Sequence, residues 1–129
     1  MFGLYLLPHT TRRVSSRVRV KKEPTYLPRR RIVPTDAVYL TDFIDDGSPI
    51  VVVPHEGKYY ICDGNHRFAS RKGGIWCVVL LAKDRRLIDR RQKRIPNLVE
   101  SWAAGKIDYE RLVKLTVSFG RPIIDNAVG

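Results

Sequence analysis

Asp63-Gly64-Asn65-His66-Arg67 puts a carboxylate, a glycine, an amide, an imidazole and a guanidinium in consecutive positions. No other stretch of the chain gathers these chemistries. An apolar run, Ile50-Val51-Val52-Val53, lies upstream, followed by turn residues from Pro54 to Gly57 and a second strand pattern, Lys58-Tyr59-Tyr60-Ile61-Cys62. Downstream, Phe68-Ala69-Ser70-Arg71-Lys72 reads as a short helix closed by Gly73-Gly74. The polar turn therefore joins a strand to a helix start. Backbone N–H groups at a helix start lack intrahelical partners and carry partial positive charge. With His66 and Arg67 added, the turn suits an anion, most simply a phosphate.

Each residue also has a plainer reading. Gly64 allows a tight turn and close backbone approach, or is only a turn glycine. Asn65 can bond backbone or phosphate and tolerates left-handed geometry. His66 can donate to phosphate, move a proton, or make a structural hydrogen bond. Arg67 can fork onto phosphate oxygens or form a surface ion pair. Asp63 beside a phosphate makes sense as a Mg²⁺ ligand or a base; otherwise it caps the helix. The expected site is thus Gly64, Asn65, His66 and Arg67 for phosphate or nucleotide binding, with Asp63 and His66 as catalytic candidates and Asp63 as metal ligand.

Residues 31–83 resemble the ParB/sulfiredoxin-like domain, in which a helix, two strands, a Gly-x-x-Arg turn opening a second helix, and a further strand follow in order. The matching pieces are residues 36–45, 50–53, 58–62, 64–72 and 76–82. Sulfiredoxins carry a catalytic cysteine in a Gly-Cys-His-Arg form of the turn. Asn65 stands there, so sulfinic-acid repair is excluded for want of a thiolate. Partition proteins hold the CTP triphosphate with a Gly-Glu-Arg-Arg form, from which Asn65 and His66 depart. The Asp-Gly-His-His-Arg form of free serine kinases of this fold is the most similar. The resemblance implies phosphate contacts for His66 and Arg67 and a metal or base role for Asp63. It leaves no Arg or Lys obviously placed for a serine carboxylate and does not fix the nucleobase.

The remaining elements must support this turn. Residues 14–21 alternate, with Val14, Ser16, Val18 and Val20 on one face and Arg17, Arg19 and Lys21 on the other, as in a half-buried strand. Thr35 after Pro34 reads as the N-cap of a helix over residues 36–45, with Asp36 in its first turn and Asp42 on its surface. Residues 84–94 read as an Arg-rich helix broken at Pro96. Leu98, Val99 and Trp102 suggest a short helix ending near Gly105. Tyr109, Leu112, Val113, Thr116 and Val117 fit an amphipathic helix capped near Gly120. This last pair reads as a hairpin packed on the sheet, because the second helix is too nearly neutral for a recognition helix. The fold class is α/β or α+β, a small mixed sheet with packed helices. The 129 residues fit one domain, with a motif core at 31–83 and a helical extension at 84–129.

The net charge is +11 and unevenly spread. In residues 1–31, nine Lys/Arg stand against Glu23 alone, a balance of +8; residues 83–94 hold seven against Asp84 and Asp89, a balance of +5. The segment between them is slightly acidic. Basic flanks around a site domain fit a polyanion, bound through its phosphates with counterion release; a solvated surface on a heat-stable protein is the plainer alternative, and the scarcity of Gln and Asn suits a thermophile. Nucleic-acid contacts are expected at Arg12, Arg13, Arg17, Arg19, Arg29, Arg30, Arg31, Arg85, Arg86, Arg90 and Arg91. Glu23, isolated among cations, is either a site carboxylate or a local ion-pair partner. Cys62 and Cys77 form no metal motif and read as buried thiols, with a disulfide open if their strands are neighbours. No apolar run approaches a membrane span, and the short apolar stretch at residues 2–7 lacks a preceding basic region, so a cytoplasmic protein is expected.

These expectations converge on a nucleotide-binding protein, taking ATP or CTP with Mg²⁺ and working with DNA, as in partition or plasmid or viral maintenance. A homodimer is compatible with them. Alternatives are a Mg-dependent phosphotransferase or NTP hydrolase of the serine-kinase type, and a ParB-like nuclease, for which no carboxylate pair is evident.

Overall fold

A computed structural model describes residues 18–89 and 97–128. Among the described residues there are seven strands: β1 (Arg19–Val20), β2 (Thr25–Leu27), β3 (Ile32–Val33), β4 (Ile50–His55), β5 (Lys58–Asp63), β6 (Ile75–Val79) and β7 (Ile88–Asp89). There are also three α-helices among them: α1 (Asn65–Ser70) between β5 and β6, and α2 (Leu98–Ala103) and α3 (Tyr109–Val128) after the last strand. The fold is mixed α+β. Five strands form one sheet in the order β2-β6-β4-β5-β3, while β1 and β7 pair separately. Within the large sheet β4–β5 and β2–β6 are antiparallel, and β4–β6 and β3–β5 parallel.

The β4–β5 hairpin follows from its turn chemistry. Glu56 (φ 49°) and Gly57 (φ 81°) both take positive φ, the pattern of a two-residue hairpin turn whose twist matches the strands. The strand runs through Pro54, where the sequence suggested a turn. Pairing with β6 ends at Val52 opposite Val79. Beyond it Pro54 faces no ladder on that side, so its missing N–H leaves no gap.

Ile50, Val51, Val52 and Val53 are all buried because both faces of the sheet are covered. One face joins Leu27, Ile32, Ile50, Val52, Ile61, Phe68, Ile75 and Cys77, with α1 contributing Phe68. The other joins Val18, Val51, Val53, Leu80, Val99, Trp102 and Leu112 beneath α2 and α3. Asn97 caps α2 by accepting the Glu100 N–H at 2.9 Å, and Asp108 accepts the Arg111 N–H at 2.8 Å at the start of α3. The α2–α3 pair packs on the sheet, as expected. Cys62 and Cys77 are free; β4 lies between their strands. Burial pushes each thiol up to about 12, which makes both poor nucleophiles.

Three expected elements differ. No helix forms over residues 36–45; the chain there is irregular. Thr35 does not cap. Its hydroxyl donates to the Ile61 carbonyl at 2.6 Å and its N–H to Asn65 Oδ1 at 2.9 Å. Leu40 and Ile44 stay exposed, so no apolar stripe drives a helix onto the core. The Asp45 and Asp46 side chains accept the N–H groups of Gly47 and Ser48, two residues on, and favour turns instead. The helix expected from residue 84 is a 3-10 segment, Ala82–Leu87, leading into β7. Asp84 caps its start by accepting the Leu81 N–H at 2.8 Å and pairs with Lys22 at 2.6 Å, and β1 claims Ile88 and Asp89 for a sheet. Residues 90–94 of that expectation lie outside the described residues. Finally, α3 continues past Gly120. A Cβ there would meet the Tyr60 ring at 2.9 Å and Val33 Cγ1 at 3.2 Å. That glycine lets the helix approach the sheet rather than ending it.

The N-terminal alternation holds where it is described: Val18 is buried and Val20 half-buried, while Arg19 and Lys21 face solvent. Residues 14–17 lie outside the described residues.

Candidate functional site

The strand β5 delivers Asp63, and Gly64 turns the chain into α1. Gly64 has φ 114° and ψ 22°, a region L side chains rarely enter. Space forbids a side chain as well. A Cβ would lie 2.7 Å from Ile50 Cγ2 and 3.0 Å from Arg67 Nη2. The helix closes on the Gly64 carbonyl, which accepts the Phe68 N–H at 2.8 Å. Its N-cap is glycine, without a side-chain cap. Asp63 is therefore not the cap. Its Oδ2 accepts the Val18 N–H at 3.0 Å and stands 3.7 Å from Arg67 Nη2, so it ties the N-terminal strand to the turn.

The side chains of Asn65 and Arg67 serve the fold. Asn65 clamps Thr35, accepting its N–H and donating from Nδ2 to its hydroxyl at 3.1 Å. Arg67 is 6% exposed, and its Nη2 donates to the Pro49 carbonyl at 3.1 Å. Beneath the turn, Arg67 supplies a buried positive charge rather than an open fork.

His66 is the motif side chain that faces outward in part. Its ring stacks on Phe43, with centroids 5.4 Å apart and planes 29° apart. Burial pushes the imidazole below its ordinary pKa; Asp36 opposes this and Arg67 adds to it. Asp36 shifts upward because its carboxyl is partly buried, against the Ala37 N–H and His66. Asp36 and His66 thus feel each other's charge beside the turn, where the Phe43 ring stacks on the imidazole. The sequence places Asp36 and Phe43 in the helix expected over residues 36–45, not at the site. The irregular course of residues 34–49 brings both to the site, and no local pattern announces that.

The basic residues divide sharply. Arg29 donates to the Phe68 and Arg71 carbonyls, each at 2.8 Å, and lies 4.0 Å over the Phe68 ring. It caps the C-terminus of α1. Arg31 donates to the Gly57 carbonyl at 3.2 Å and stacks 5.0 Å over Tyr59, holding the hairpin turn. Arg19, Arg30, Arg85 and Arg86 are exposed. Arg12, Arg13, Arg17, Arg90 and Arg91 lie outside the described residues. Glu23 is exposed. Among the described residues no three His, Cys, Asp or Glu side chains gather as a metal site, and no helix is long and apolar enough to cross a membrane.

No known protein family, no curated protein and no solved structure matches this chain.

Proposed function

We propose that the Gly64–Arg67 turn binds the phosphates of a nucleotide, ATP or CTP, and that the exposed arginines bring the protein to nucleic acid through its backbone. The observation that supports this reading most is the turn itself. A glycine whose φ and surroundings both disfavour any side chain opens a helix whose start has no side-chain cap. Arg67 adds charge from below, and His66 stands beside the opening. Phosphate oxygens would take backbone N–H groups and one imidazole N–H. Mg²⁺ would arrive on the triphosphate, held chiefly by phosphate oxygens and water with one carboxylate at most. Asp36 fits that part better than Asp63, whose carboxylate already accepts a backbone N–H and faces Arg67.

A second reading has its own observation. The Asp36–His66 pair, with pKa values shifted in opposite senses, has the make-up of a general acid–base couple. A phosphotransferase or NTP hydrolase would use His66 to move the proton of the attacking hydroxyl or water.

Calorimetry with ATP and CTP, with and without Mg²⁺, tests the binding reading. His66→Ala should weaken triphosphate binding by roughly 1.5–3 kcal/mol, the worth of a charged hydrogen bond. Failure of every triphosphate to bind the wild-type protein refutes it.

A further inference from the structure

Phe43 belongs to no helix or strand, yet its ring has a defined place. The irregular chain around it is pinned to α1 on both sides. Upstream, Asn65 at the first residue of α1 clamps Thr35. Downstream, Asp45 accepts from Arg71 Nε at 2.7 Å and from Arg71 Nη2 at 2.6 Å, and Nη2 also donates to the Ser48 carbonyl at 2.7 Å. Arg71 directly follows the last residue of α1. Between these anchors the chain reverses. The Phe43 N–H donates to the Leu40 carbonyl at 3.1 Å, and Asp42 takes φ 66°, in the left-handed region. This reversal leaves Leu40 and Ile44 in water and turns the Phe43 ring onto His66.

The contact has the geometry of an offset stack, with centroids 5.4 Å apart and planes 29° apart. Such a stack closes one face of the imidazole and leaves open the edge that carries its nitrogens. A histidine ring commonly takes its orientation from a hydrogen bond on one nitrogen, which leaves the other for chemistry. Among the described residues, no hydrogen bond holds either nitrogen of His66. The stack is therefore what sets the plane of the ring. An N–H donates in that plane, and a ring turned out of it loses the bond. We infer that Phe43 is a positioning residue, which holds the His66 ring so that its edge meets a bound phosphate. The ligand in this inference rests on the phosphate reading of the turn; the placement of the ring does not.

Carbon-13 relaxation at His66 Cδ2, assigned with His66→Ala, reads the placement without any ligand. The order parameter should be close to that of rigid backbone, about 0.85, in wild type and in Phe43→Tyr. It should fall below about 0.6 in Phe43→Leu, which keeps apolar volume but no ring. ATP affinity reads the consequence. Phe43→Leu should raise the Kd by about 2- to 12-fold, the worth of one aromatic pair, and Phe43→Tyr should stay within about twofold of wild type. In a His66→Ala background, Phe43→Leu should leave the Kd unmoved, because Phe43 acts only through the imidazole. Ile44→Ala, at an exposed neighbour, should change neither measurement. The inference is overturned if the His66 ring is as ordered in Phe43→Leu as in wild type. It is also overturned if Phe43→Leu weakens ATP binding as much without His66 as with it. If the wild-type protein binds no triphosphate, the phosphate reading fails, and the relaxation series by itself still decides whether Phe43 holds the ring.

Discussion

Substituting Gly64 by alanine tests whether the turn is as tightly built as its geometry implies, and Gly47 supplies the control. Both glycines have positive φ, 114° and 84°. A Cβ on Gly47 would meet nothing within 4 Å, whereas one on Gly64 would sit 2.7 Å from Ile50 Cγ2 and 2.9 Å from Ile50 Cβ. Ile50 is fully buried at the centre of the sheet and has nowhere to move. Gly47→Ala carries only the backbone term, about 1–2 kcal/mol for a left-handed L-residue, offset by about 0.4–1 kcal/mol of lost unfolded-state entropy. Gly64→Ala carries the same balance plus overpacking of a closed core, about 1–3 kcal/mol more. Urea unfolding followed by the buried Trp102 measures both. Gly64→Ala should be the less stable variant by about 1–3 kcal/mol. Equal stability of the two variants would refute the claim that β4 packs against the turn as described.

Arg29→Met should lower stability by roughly 1.5–3 kcal/mol, because two charged hydrogen bonds to the end of α1 are lost, while the exposed Arg30→Met should fall within about 0.5 kcal/mol of wild type; chemical denaturation compares them. Asp63→Asn should fold but lose roughly 1.5–3 kcal/mol, since the carboxylate that faces buried Arg67 becomes neutral; an unaltered unfolding midpoint would show that this pairing contributes nothing. His66 and Asp45 both contribute to the acid dependence of stability. The imidazole of His66 titrates lower in the folded state than in the unfolded chain, so the unfolded chain binds more protons; its contribution is complete above the unfolded pKa near 6.5 and falls away as pH drops below it. Arg71, through its hydrogen bond, holds Asp45 at about 2, so its contribution is present above 3.8 and is lost only as pH falls toward 2. A pH series of denaturation curves should show these losses in that order, and His66→Ala should remove the first.

Local patterns carried much of this fold. The valine run at 50–53, the turn into β5, though shorter than expected, the polar turn and the start of α1 all rest on signals within a few residues: apolar content, a turn ending in glycine, and a glycine before a helix. The alternation of Val18 and Val20 with Arg19 and Lys21 was legible for the same reason. Residues 36–45 misled because their propensities fit a helix while their partners lie elsewhere in the chain. Thr35 is taken by Ile61 and Asn65, and Arg71 binds Asp45 at 2.6 Å. Such pairings across some 25–30 residues leave no trace in local spacing. Gly120 misled in another way. Its role is close approach to Tyr60, and sequence alone does not distinguish that from a helix stop. The charge map located cations but not their use: Arg29 and Arg30 are adjacent in sequence, yet one caps a helix and the other meets solvent. At the site, the glycine and His66 were legible, whereas the inward direction of Asn65 and Arg67 depended on Thr35, Pro49 and Asp63 being where the fold puts them.

Phosphate binding at the start of α1 is read by amide and imidazole NMR during a titration with ATP or CTP, with and without Mg²⁺. The backbone N–H resonances of Asn65, His66 and Arg67 should shift together and saturate. The His66 pKa should rise on binding, because an anion then favours the imidazolium, so that affinity increases as pH falls toward 6. Shifts confined to the exposed arginines, with the 65–67 amides and the His66 titration unmoved, would contradict it.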